Sequence, residues 1–226
     1  MRMSELSSTT GATVPTLKFY LREQLLHAGE RTSPNQSQYD ESHVARVRLV
    51  RALLEVGGLS VARARDVVGA VDAGTLPLSS VFGIAQRAVT VPAPLADESP
   101  APSEGDRLVA DLCAARGWHV YPNNPGLALA ARVLDTYAAL GQQRLHAVLV
   151  PYAEAADLVA GADLAAVAAA PDDTEMTNVV VVGTVLGDAL FAGLRRIAQE
   201  AESFLRFPLP EGVPAPGSTT TTDEDC

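Results

Sequence analysis

The side chains that could do chemistry in this chain of 226 residues are few and scattered. In the second half the polar candidates are His119, His146, Tyr121, Tyr152 and Asp188. They form no nucleophile elbow, phosphate loop, paired-cysteine site or histidine–carboxylate constellation. Binding is therefore the better reading than catalysis, and the chain is not expected to be an enzyme. Trp118, Tyr121, Tyr137, Tyr152 and Phe191 could line an apolar small-molecule pocket with polar tips, with Asp188 as the anion for a cationic ligand. The same aromatics suit an ordinary helical core, which is the commoner case, and such an aspartate more often faces solvent or a partner arginine. His27 and His43 lack Cys, His or carboxylate companions at the spacing a zinc site needs, so neither a metal nor a cofactor is expected. Cys113 sits in an apolar helical pattern and Cys226 at the last position, which is no disulfide framework; a reducing, cytoplasmic location fits.

The elements that would position side chains are clearest near the front. In TVPTLKFYLREQLL, from Thr13 to Leu26, Thr13 can cap a helix and Pro15 falls in its first turn, where a missing N–H costs nothing. Leu17, Tyr20 or Leu21, and Leu25 recur at helical spacing, while Thr16, Lys18, Arg22 and Glu23 fall on other faces. A short helix over Ser4 to Thr10, ended by Gly11, precedes it, which makes a helix-turn-helix pattern. Ala28 to Asp40 is polar, with Pro34 and Asn35 at its centre, and suits a small two-stranded wing pairing Glu30–Thr32 with Gln36–Tyr39. Arg31 could reach a phosphate from that wing or simply be an exposed loop arginine. Ser42 then caps a helix from His43 to Val56 whose stripe is Val44, Val47, Val50 and Leu54, and Ser60 caps another with Val61, Ala64, Val67, Val68 and Val71 inward.

These pieces, in this order, resemble the DNA-binding domain of MerR-family transcription regulators over roughly the first third of the chain. The family's T-x-R-Y-Y-E-like segment followed by R-E-x-L-L is matched by Thr16, Leu17, Lys18, Phe19 and Tyr20, then Arg22, Glu23, Leu25 and Leu26. Leu21 stands where the family has an acidic residue. Of the wing's G-Y-R-x-Y-D only Tyr39 and Asp40 remain, with Asn35, Gln36 and Ser37 in place of Gly, Tyr and Arg. The resemblance implies a winged helix-turn-helix that binds double-stranded promoter DNA as a homodimer, each Pro15–Leu26 helix entering a major groove and each wing lying along the backbone. In that role Lys18 is the first choice for a base-edge or adjacent phosphate contact. Thr16, Tyr20 and Arg22 would position phosphates, with Thr13, Arg31 and Tyr39 beside them, although an aromatic at position 20 could simply pack with its hydroxyl outward. The resemblance also implies distortion of the promoter, so that an effector alters how RNA polymerase engages it. Metal sensors of the family use cysteines after the domain-linking helix, and this chain has no equivalent.

Composition divides the same way. The chain is 47% hydrophobic with a net charge of −10, yet residues 1–89 hold ten Lys and Arg against eight Asp and Glu, a net of +2, leaving −12 behind them. A DNA-reading front and an effector-binding or oligomerising back suit that asymmetry. The expected fold is mainly α: a winged helix-turn-helix at 1–89, a Pro-rich linker at 90–103, an all-helical domain at 104–207 and a disordered tail at 208–226. Helices are expected at Glu104–Arg116, Leu127–Leu140, Gln143–Val167 with an irregularity at Pro151, and Asp172–Phe207. The last is apolar on so many faces that it should be the covered centre of the back domain and part of a dimer interface. Its run Val179–Leu194 carries Asp188 and is short for a bilayer, so no membrane is expected. Two functions follow: a dimeric transcription regulator that takes a small-molecule effector, or alternatively a protein-interaction module whose degenerate wing no longer supports specific DNA binding.

Overall fold

The computed structural model describes residues 1–33, 36–74, 76–90 and 101–207. The first helix, α1 (Met3–Thr10), ends at Gly11, whose φ of 69° is the left-handed conformation that stops a helix without strain. Helix α2 (Val14–Arg22) follows after a two-residue turn capped by Thr13, whose Oγ1 accepts from the Thr16 N–H at 3.3 Å, with Pro15 in the first turn as expected. It is shorter than the pattern suggests. The chain leaves it through Gln24 at φ 59°, and the N–H groups of Leu25 and Leu26 both donate to the Tyr20 carbonyl.

The wing is an antiparallel pair, β1 (Glu30–Ser33) and β2 (Gln36–Gln38), with Arg31 opposite Ser37 and an irregularity between Arg31 and Ser33. Pro34 and Asn35, between the two strands in sequence, lie outside the described residues. Helix α3 (Glu41–Arg51) is capped by Asp40 and not by Ser42: the N–H groups of Ser42 and His43 donate to Asp40 Oδ1 at 3.0 and 3.4 Å. A single π-helical turn, Ala52–Val56, continues it. Here Leu53 is fully buried while Leu54 is only partly so, the reverse of the expected stripe. Helices α4 (Val61–Ala73) and α5 (Leu78–Val89) complete the front.

Residues 91–100 of the expected linker lie outside the described residues. Beyond it come α6 (Glu104–Arg116), α7 (Pro125–Ala139), a 3-10 turn at Gln143–Val148, α8 (Leu149–Ala168) and α9 (Asp173–Arg206). The irregularity expected at Pro151 lies earlier, in the 3-10 turn; Pro151 itself sits in the first turn of α8, where its missing N–H has no partner to lose.

The chain divides into two compact units, Met1–Asp188 and Ala189–Cys226, the second described only to residue 207. The main core of the first unit joins Leu6, Leu17, Tyr20, Leu25, Val44, Val47, Val50, Leu53, Val67 and Val81. Val167 of α8 and Val180, Val181 and Val185 of α9 belong to that same core. This corrects the expectation that α9 is the covered centre of a back domain, because its first half seals the front core. A smaller cluster of Val109, Ala131 and Leu134 holds α6 against α7. The whole of α9, longer than the run 179–194, has by length and composition alone what is needed to cross a bilayer. Within the first unit, Val180, Val181 and Val185 are committed to the protein core.

Candidate nucleic-acid interface

Helix α2 has one locked face and one open face. Leu17 is fully buried and Tyr20 is 4% exposed, so both hold the helix in the core. Pro15, Lys18 and Arg22 are exposed and spaced i, i+3, i+7, which places them on one stripe of the opposite side. Lys18 is the chain's sole lysine. Arg22 is held ready: its guanidinium carbon lies 5.3 Å from the Phe19 ring centroid, and its Nε lies 3.4 Å from Glu23 Oε1, while its side chain stays 70% exposed. Thr13 is exposed at the head of the helix and its hydroxyl is 2.8 Å from that of Thr16, so both hydroxyls sit where a backbone phosphate would approach the N-terminus.

Two expected contact residues are placed elsewhere. Tyr20 packs in the core, and burial raises its phenol pKa above the usual range, followed by the charge of Glu55. Tyr39 is 7% exposed at the root of the wing, where its ring meets His43 edge-on at 5.1 Å. Both tyrosines position elements instead of presenting open surface. Arg31 is exposed on β1. The wing root is further tied to the chain's start, the Tyr39 N–H donating to the Met1 carbonyl at 2.8 Å.

Several arginines act in ways that spacing does not disclose. Arg65 of α4 donates to the Glu23 carbonyl and to Glu23 Oε2, both at 2.8 Å, and so pins the C-terminal end of α2. Arg51 donates to the Thr10 carbonyl at 3.1 Å and pairs with Glu55, placing a cation at the end of α1 where the helix dipole favours it. Arg46 pairs with Asp72. Arg48 remains exposed. Arg46, Arg51 and Arg65 thus tie α1, α2, α3 and α4 to one another, which only the packing of these helices shows.

Trp118, Tyr121, Tyr137, Tyr152 and Asp188, expected to share a ligand pocket, do not converge. Trp118 lines an open cavity of about 660 Å³ with Asp106, Val109, Cys113, His119 and Leu127, while its Nε1 donates to Asp157 at 2.8 Å. Tyr121, 75% exposed, lines a second cavity of about 540 Å³ with Phe82, Ile84 and Arg87. Tyr137, Tyr152 and Asp188 line neither. Tyr137 packs against the smaller core cluster and Tyr152 is exposed. Asp188 is exposed as a residue, yet partial desolvation of its carboxyl, and then the charge of Asp163, raises its pKa. His27 and His43, read as lacking companions, are brought together with Asp40 by the fold. Sequence spacing could not reveal this, because the wing separates His27 from the other two.

The arrangement of a capped helix with an open basic stripe, a preceding short helix and a following hairpin agrees with what this chain is similar to. A family model described as MerR HTH family regulatory protein matches residues 1–70. Nodulation protein NolA of Bradyrhizobium elkanii is 46% identical over 56 residues, covering 25% of this chain and 26% of that protein. Its counterpart in Bradyrhizobium sp. (strain NC92) is 45% identical over 56 residues, covering 25% and 24%. The match thus spans about a quarter of the length of these curated relatives. The crystal structure of SCO5550 from Streptomyces coelicolor A3(2), a candidate transcriptional regulator, superposes with a TM-score of 0.63 at 32% identity, covering 93% of this chain and 99% of that one. By this near-complete match and by its N-terminal domain, the chain belongs to the MerR family, a family of transcription regulators and not of enzymes.

Proposed function

We propose that this MerR-family regulator binds double-stranded promoter DNA as a homodimer in the cytoplasm, with residues 1–89 reading DNA and residues 104–207 dimerising. The observation that carries the DNA reading is the open stripe of Pro15, Lys18 and Arg22 on a helix whose other side is locked by Leu17 and Tyr20. Lys18 reaches a base edge or adjacent phosphate, and Thr13, Thr16 and Arg22 position phosphates along the entry of α2 into the major groove. Arg31 contacts the backbone from the wing. Tyr20 and Tyr39 contribute by fixing α2 and the wing root.

Dimerisation is supported by α9 beyond Asp188. Leu190, Leu194, Ile197, Ala201 and Phe204 follow one another at alternating steps of four and three, the spacing of a coiled-coil seam, and the first three are 64%, 52% and 67% exposed. A seam this apolar is stable when a second helix covers it. The cavity beside Trp118, apolar on the Val109 and Leu127 side and acidic at Asp106, suits a small effector carrying an apolar body and a cationic group. RNA polymerase would respond indirectly, through the shape of the bound promoter.

Fluorescence anisotropy of the full chain against DNA upstream of its own gene and an unrelated duplex, over a salt series, tests the reading. Preference for the upstream duplex, falling steeply with salt and reduced by about 1–3 kcal/mol in Lys18→Ala, is expected. Weak, equal binding to both duplexes, unchanged by Lys18→Ala, would favour the protein-interaction alternative, in which apolar helices recruit a partner with little salt dependence.

A further inference from the structure

The two ends of the wing meet at a cluster of metal-ligating side chains. His27 lies in the segment that enters β1, Asp40 follows the segment that leaves β2, and His43 lies one helical turn beyond Asp40 in α3. Each offers a ligand atom, and these atoms all lie within 4.8 Å of one another. The His27 and His43 rings are 3.9 Å apart between centroids. His27 and Asp40 are exposed, so an ion can reach them, while His43 is 5% exposed and held in one place by its packing.

The hydrogen bonding of His43 is unresolved by the protein's own groups. Its Nδ1 is 3.1 Å from the Asp40 N–H and 2.7 Å from Asp40 Oδ1, a donor and an acceptor competing for one nitrogen. If Nδ1 carries the proton it serves the carboxylate, and the Asp40 N–H is left facing an N–H. If Nδ1 is bare it serves that N–H, and its lone pair faces a carboxylate oxygen. In either tautomer Nε2 is buried without a partner among the described residues. A cation that takes the single Nδ1 lone pair replaces the Asp40 N–H as its partner and turns the contact of that nitrogen with the carboxylate from repulsive to attractive. The nearby cation that would oppose such an ion, Arg46, is already paired with Asp72.

We propose that His27, Asp40 and His43 form a site for a divalent transition-metal ion of the zinc class that joins the two roots of the wing. Two imidazoles and one carboxylate are the donor set that zinc accepts, and a three-residue site leaves a fourth position for water. The ion closes the hairpin at its base, so the metal-loaded protein holds the wing in one geometry relative to α3. Ser42, whose hydroxyl donates to Asp40 Oδ1 at 2.5 Å and lies 3.2 Å from His27 Nε2, orients the carboxylate and occupies the place that the ion takes beside His27.

The test uses the full chain, stripped with a chelator and titrated with Co²⁺ as a spectroscopic probe and Zn²⁺ by calorimetry. One-to-one binding is expected, with visible Co²⁺ bands that Zn²⁺ removes and an upward shift of the thermal midpoint. Two substitutions that spare the fold should each weaken binding by more than about tenfold. His27→Ala removes an exposed ligand, and Asp40→Asn keeps the helix cap while losing the charge. His119→Ala, in the exposed loop beside Trp118, should leave binding unchanged. Absence of Co²⁺ bands and of any Zn²⁺ heat, or binding that survives both His27→Ala and Asp40→Asn in proteins with native circular dichroism, would overturn the site.

Discussion

Single side chains at the helix starts set the geometry on which recognition depends. Thr13 caps α2 and, in the proposed complex, stands at the end that meets DNA, so its replacement has two separable effects. Thr13→Ala should cost about 1 kcal/mol in urea denaturation, the usual worth of such a cap, and should weaken DNA binding by a similar amount if its hydroxyl also meets a phosphate. Asp40 gives a pH dependence. Hydrogen bonds from Ser42 and then His43 hold its carboxyl well below the ordinary aspartate range. A carboxyl depressed in the folded state contributes stability that is present above its unfolded value of about 4 and is lost as pH falls through the folded value. The denaturation midpoint should therefore fall on acidification below about pH 4, and Asp40→Asn, uncharged at every pH, should flatten that limb. A limb of equal slope in the mutant would place the acid sensitivity elsewhere. The cap at Thr13 and the outward place of Lys18 were legible in the sequence because capping and periodicity are local. The contact of Arg65 with Glu23 spans 42 positions, and nothing local to either residue encodes it.

Elements were legible where their punctuation was strong. Gly11, read as a stop, ends α1 with φ of 69°, and Gly117 and Gly141 follow α6 and α7 with φ of 68° and 67°. The π-helical turn after α3 and the 3-10 turn before α8 were not legible, because apolar periodicity has no marker for a change of helical pitch. The approach of α6 to α7 was hidden for a different reason: a glycine inside a helix signals either tolerance or contact. Gly105 is contact. Its N–H donates to Asp135 Oδ1 at 2.7 Å, and a Cβ there would overlap the Ala131 carbonyl and stand 3.0 Å from the Ala131 Cα. Gly69 in α4 is tolerance, with nothing within 4 Å of such a Cβ. Gly→Ala inside a helix gains up to about 1 kcal/mol from propensity, so the two sites should respond with opposite sign. Gly69→Ala should raise the melting temperature. Gly105→Ala should lower it, since overpacking against rigid backbone costs about 1–3 kcal/mol or more and outweighs the propensity gain. Equal responses would mean that α6 and α7 can separate without penalty.

At the scale of the whole molecule, charge and apolar surface are divided between the two ends of the chain: a net +2 over residues 1–89 and −12 over the rest. That asymmetry was readable from composition, whereas the use of α9 was not, because an apolar helix looks the same whether its own chain or a second copy covers it. Val180, Val181 and Val185 are covered within the first unit, while Leu190, Leu194 and Ile197 are open. If those open residues form the seam between two copies, Leu194→Glu with Ile197→Glu puts two charges on each side of it. Burying unpaired carboxylates there costs more than the apolar contact they replace, so the variant should sediment as a monomer at concentrations where the parent is a dimer. Its far-ultraviolet circular dichroism should be retained, since neither position belongs to the core of the first unit. DNA affinity is the second readout. A dimer that engages two half-sites gains from linkage a factor of about 10²–10⁴ over one protomer, so the monomeric variant should bind the same operator more weakly while Lys18→Ala in that background still lowers what remains. A variant that stays dimeric would move the interface off this seam. One that becomes monomeric with operator affinity unchanged would show that each α2 acts alone.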